Sequence, residues 1–112
     1  MNIPIDLIGR SLRTMAKYLM LWEIDQSKVA INPQERGAAW SAFMAMIKQD
    51  IKGGIIKDWG AFVGEINGYS IAEGTEAEIG KLNQKYVPFV IFKAHPVASV
   101  GQVEEVVKSL SK

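Results

Sequence analysis

His95 is the only histidine in this 112-residue sequence, so every scheme that needs an imidazole converges on it. It stands just before Pro96, at the expected end of the last strand, where a side chain can project into a cavity mouth. An imidazole titrating near neutral pH could serve there as a general base or as an axial ligand to haem iron. The competing structural reading is a strand-end histidine bonded to backbone or solvent. With no cysteine, thiolate metal sites and disulfides are excluded, and a zinc site would have to be completed by Asp and Glu alone. That arrangement is uncommon, so no metal site is expected, and without a Ser-centred nucleophile elbow a hydrolytic triad has no support.

Four charges fall inside stretches of strand composition: Lys57, Asp58, Glu73 and Lys93. Buried in a cavity they would be site candidates, whereas on strand edges they guard against aggregation. Lys57 and Asp58 are adjacent, and regular alternation sends them to opposite faces. Glu73 and Lys93 are expected near strand ends, at a solvated rim. Trp22, Trp40, Trp59, Tyr18 and Tyr69 supply an aromatic interior of the kind that lines pockets for flat molecules. Trp40 falls on a helical stripe and reads as core, leaving Trp59, Tyr69 and Trp22, with Glu73, as candidate ligand-binding residues. Gly60, Gly64, Gly68 and Gly74 lack the spacing of a dinucleotide or phosphate loop and are better explained by turns and close packing.

The balance of thirteen Lys and Arg against twelve Asp and Glu argues against a nucleic-acid partner. No apolar run approaches a membrane span, and the first residues do not resemble a secretory signal, so a cytoplasmic location without membrane association is expected. At 48% hydrophobic and 22% charged, the composition is that of an ordinary globular domain. Residues 1–16 read as an N-terminal arm or short helix, with Leu7, Ile8, Leu12 and Met15 on one side. Residues 17–112 read as one α+β domain.

Its elements are punctuated by recognisable chemistry. Tyr18–Ile24 is a strand apolar on both faces. Asn32-Pro33-Gln34-Glu35 opens a helix with an N-cap, a first-position proline and a glutamate able to reach back. Trp40, Phe43, Met44, Ile47 and Ile51 form its stripe, and Gly53-Gly54 stops it. A strand from Ile55 to Ile66 meets Asn67-Gly68, which reads as a type I′ hairpin turn into the strand 69–73. Thr75-Glu76-Ala77-Glu78 caps a second helix carrying Ile79, Leu82 and Tyr86, which Pro88 prevents from continuing. A strand over 89–94 is closed by His95-Pro96, and Ser99 through Gln102 caps a last helix bearing Val103, Val106, Val107 and Leu110.

This order is βαββαβ with a terminal helix, the pattern of ferredoxin-like sandwiches. Two crossover helices cover one face of the antiparallel sheet, yet Leu19, Leu21, Phe89 and Ile91 put apolar residues on the other. In the second strand, Trp59, Ala61 and Val63 are expected opposite Ile56, Gly60 and Phe62. A bare apolar face of several hundred Å² is uncommon on monomers, and the simplest cover is a second copy through a two-fold axis. The N-terminal arm is the competing cover. On these doubly apolar strands, the element order and the Asn67-Gly68 hairpin, residues 17–112 resemble the dimeric α+β barrel proteins of the ferredoxin-like class. The stretch from Asp58-Trp59-Gly60 through Gly68-Tyr69 to Tyr86-Val87-Pro88-Phe89 and His95-Pro96 is similar to a group of small uncharacterised prokaryotic proteins. The resemblance implies a cavity between sheet and helices or between subunits. Since members of the barrel class include monooxygenases without metal, lactone isomerases, haem-binding enzymes and proteins without known activity, it does not fix the contents. The expectation is a homodimer that binds or transforms a small, partly apolar molecule, with His95 as acid/base and no cofactor. The alternatives are a non-catalytic assembly module and haem binding through His95.

Overall fold

The structure, a computed structural model, describes residues 16–111. Strand β1 (Ala16–Ile24) leads through a 3₁₀ turn (Gln26–Lys28) to helix α1 (Pro33–Lys52), then β2 (Ile56–Ala61) and β3 (Asn67–Gly74). Helix α2 (Glu76–Gln84), β4 (Val90–Val97) and helix α3 (Val100–Ser109) complete the chain. The sheet is antiparallel throughout, in the order β2-β3-β1-β4. Architecture and order are consistent with a ferredoxin-like fold. The expected arm over residues 1–16 lies, apart from Ala16, outside the described residues.

The caps form largely as their chemistry requires. Asn32 accepts from the amides of Gln34 and Glu35, although Glu35 does not return the bond. Thr75 with Glu78 and Ser99 with Gln102 make complete capping boxes. Each box satisfies two backbone donors that a helix start would otherwise leave orphaned. Gly54, with φ +90°, terminates α1 in a conformation glycine alone adopts easily. Ile51, assigned to the α1 stripe, is instead half exposed, and the buried positions of the helix are Ile47 and Asp50. Helix α2 ends at Gln84, two residues before Tyr86, which is nevertheless buried by the turn that follows.

One face of the sheet makes the core. Tyr18, Met20, Trp22 and Ile24 of β1 and Val90 and Phe92 of β4 point into it, beneath Trp40, Phe43, Met44 and Ile47 of α1 and Ile79 and Leu82 of α2. The inward positions of β3 are all small: Gly68, Ser70, Ala72 and Gly74 are buried. Their size leaves space for large neighbours. Trp22 stacks on Trp59 with ring centroids 5.2 Å apart and planes 5° from parallel, and Phe43 meets both rings edge-on. Such aromatic pairs contribute about 0.5–1.5 kcal/mol beyond area burial.

Two expectations about β2 and β3 are corrected. The chain does not reverse at Asn67-Gly68: the Phe62 amide donates to the Asn67 carbonyl at 2.8 Å, and the positive φ belongs to Gly64, at +82°. Asn67 and Gly68 already pair with Glu23 and Trp22 as the first residues of β3. Gly68 is required for another reason, since a Cβ there would stand 2.1 Å from the Gly60 carbonyl oxygen, 2.6 Å from Trp22 Cζ2 and 2.8 Å from Ala61 Cα. The second correction concerns alternation. A bulge between Ile56 and Asp58 resets the register, so Trp59, opposite Ser70, shares the core face with Ile56. Lys57 and Asp58 therefore both reach partners on the open face: Lys57 lies 3.7 Å from Glu73, and Asp58 accepts from the Tyr69 hydroxyl at 2.8 Å.

Candidate functional site

An apolar concavity lies where β1 ends and β4 begins. Ile24, the loop Lys28–Ala30, one flank of α1 and the turn Lys85–Val90 enclose about 280 Å³. The α1 flank offers Ala39, Ala42, Trp40, Phe43 and Met46; Val29, Val87 and Phe89 complete an almost wholly apolar wall. Small alanines on this flank recess the helix surface, and Ala39 and Ala42 themselves are exposed to the opening.

Local backbone bonding fixes both rims. Arg36, in the first turn of α1, donates from one terminal guanidinium nitrogen to the carbonyls of Ala30 (3.3 Å) and Ile31 (3.1 Å). This bond pair pins the loop against the helix it precedes. Across the opening, the amides of Lys85, Tyr86, Phe89 and Val90 donate to the carbonyls of Leu82, Asn83, Tyr86 and Tyr86 respectively, making a tight turn after α2. That turn buries Tyr86 against Phe43 and Phe92, with centroids 5.6 and 6.0 Å away.

Behind the wall, Asp50 of α1 is only 6% exposed, yet both its oxygens are engaged. One accepts from the Lys85 ammonium and the other from the Tyr86 hydroxyl at 2.5 Å. Burial, then the hydrogen bond and charge of Asp50, push the Tyr86 phenol well above its ordinary pKa. At neutral pH its proton is held toward Asp50, which makes Tyr86 a wall and anchor and not a base.

The residues singled out from sequence do not converge here. Trp22 and Trp59 belong to the core stack and border only a void of about 10 Å³. Trp22 Nε1 is itself occupied, donating to the Tyr69 carbonyl at 3.2 Å. Tyr69, Glu73 and His95 all lie on the open face. Tyr69 rests across Gly60, where a Cβ would stand 2.6 Å from its ring, and hydrogen-bonds Asp58. Its phenol is raised above the usual value, chiefly by that hydrogen bond. His95 is exposed opposite Leu19 on the open face, near the end of β4, which continues past it through Pro96 to Val97. Lys93 is likewise inside β4. Among the described residues no three His, Asp or Glu side chains gather as metal ligands, and no helix is long and apolar enough to cross a membrane.

Trp40, read from sequence as core, proves to border the cavity as well as the core. Lys28, Arg36 and Lys85 were missed as a group because they come from three separated segments. Their one sequence signal was Arg36 four residues after the Asn32 cap, a position from which a long side chain can reach back over the loop. No protein-family model and no curated protein matches the chain.

Proposed function

We propose that this chain is a small homodimeric protein of the dimeric α+β barrel class that binds a small, partly apolar molecule beneath the flank of α1. The cavity of about 280 Å³ carries this reading. It lies just below the usual size range of small-molecule pockets and has their typical apolar wall. Trp40 and Phe43 give a ligand aromatic surface, and the buried Asp50 and Tyr86, joined by the exposed Lys85, brace the wall from behind. Dimerisation is supported by the open face, where Leu19, Leu21, Tyr69 and Ile71 occupy the two central strands and Ile91 and Val97 lie on β4. Leu21, Ile91 and Val97 are among the exposed large hydrophobics.

Titration with the neutral dye N-phenyl-1-naphthylamine, read by its own emission and by quenching of tryptophan fluorescence, tests the binding. The wild type is expected to bind with micromolar affinity. Ala42→Phe, which fills the cavity from an exposed helix position, is expected to weaken binding at least tenfold while leaving the melting temperature within a few degrees. Absence of wild-type binding, or binding that ignores the filled cavity, overturns the assignment of a ligand to this site and leaves the assembly reading.

A further inference from the structure

We infer that the ligand of this cavity is an organic anion, an apolar body bearing one carboxylate. The inference rests on the binding reading above and concerns the chemistry of the rim. Three charged side chains line the cavity, Lys28, Arg36 and Lys85, and all are cations. The chain as a whole carries nearly equal numbers of each sign, so the bias is local.

The three cations are not equivalent. Lys85 is committed to Asp50, which is buried behind the wall and does not line the cavity. Lys28 has the Asp25 carboxylate nearby on the same turn, where its Oδ1 accepts from the Ser27 amide and hydroxyl at 3.0 and 2.7 Å, but Asp25 does not line the cavity. Arg36 is the recognition element. Two bonds from one terminal nitrogen to Ala30 and Ile31 fix the guanidinium plane, and its other N–H donors have no protein acceptor among the described residues. A guanidinium held in place by one edge presents its free edge to a planar, two-oxygen acceptor with little entropy left to lose. A carboxylate fits that edge, with Lys28 adding charge at the solvent side. The body then lies between Trp40, Phe43, Met46 and Phe89, in a volume of about 280 Å³. A small acyl or aromatic acid suits this space.

Matched pairs decide the point: octanoate against 1-octanol, and 1-naphthylacetate against its methyl amide, each displacing N-phenyl-1-naphthylamine from the wild type. The acid of each pair is expected to bind at least tenfold more tightly than its neutral partner. That preference is expected to fall at least fivefold in Arg36→Gln, to fall less in Lys28→Gln, and to shrink between 50 and 500 mM salt. If Arg36→Gln does not fold, the Lys28→Gln and salt measurements carry the test. Equal affinity of acid and neutral partner overturns the anion assignment while the dye still reports a cavity. Failure of the dye itself to bind removes the site and the assignment together.

Discussion

Asp50 is the residue whose environment departs furthest from the ordinary. A carboxylate at 6% exposure is stable only because an ammonium and a phenol complete its bonding. Tyr86→Phe removes one of those partners and strands an acceptor, at a cost of about 1–3 kcal/mol in urea denaturation at pH 7. The same variant has a pH signature. Because the folded phenol pKa is raised above the ordinary 10.0, the stability it contributes is complete below about pH 10 and declines as pH rises further. Tyr86→Phe is therefore expected to flatten the alkaline limb of the stability profile relative to wild type. A wild-type profile with no steeper alkaline decline than the variant's would contradict this account.

At the level of elements, glycines separate two physical uses of the same residue. Gly68, the second residue of β3, has no positive φ, and its role is to admit the backbone of β2 at Gly60 and the Trp22 ring. Gly68→Ala is expected to cost about 1–3 kcal/mol or more through overpacking. Gly80, inside α2, has nothing within 4 Å of an added Cβ, so Gly80→Ala is expected to gain about 0.5–1 kcal/mol. The two variants measured side by side by thermal unfolding should move in opposite directions. The α2 cap offers a further test. The Thr75 amide and hydroxyl hold the Glu78 carboxyl below its ordinary pKa, so this contribution is present above pH 4.5 and is lost as pH falls through the lowered value. Glu78→Gln keeps a capping partner while removing the titration, and its acid limb is expected to be flatter than the wild type's. Local signals made these caps readable in advance, since each involves residues three apart. The β2 bulge was not readable: one extra residue changes which side chains share a face, and nothing in Ile56-Lys57-Asp58 announces it.

For the whole molecule, the unresolved surplus is apolar surface on the open sheet face and on α3. Helix α3 buries none of its residues, and Leu110 is 79% exposed although Val103, Val106, Val107 and Leu110 form a continuous stripe. Ten residues are too few for a helix to persist well in water without a packing partner. If the open face is closed by a second copy, Leu21→Lys, beside Lys93 and at the centre of the face, is expected to yield a folded monomer in sedimentation equilibrium while circular dichroism is retained. A wild type that sediments as a monomer removes the dimer.

Composition, cap chemistry and hydrophobic period determined the α+β class, the order of its elements and the presence of Leu19 and Leu21 on the strand face opposite the core. Those properties depend on neighbours a few residues apart along the chain. Which aromatics became core and which became wall was decided only by tertiary packing, and so was the gathering of Lys28, Arg36 and Lys85 around one opening. That grouping depends on where the loop after β1, the first turn of α1 and the turn after α2 meet in space, and sequence separation carries no record of that distance.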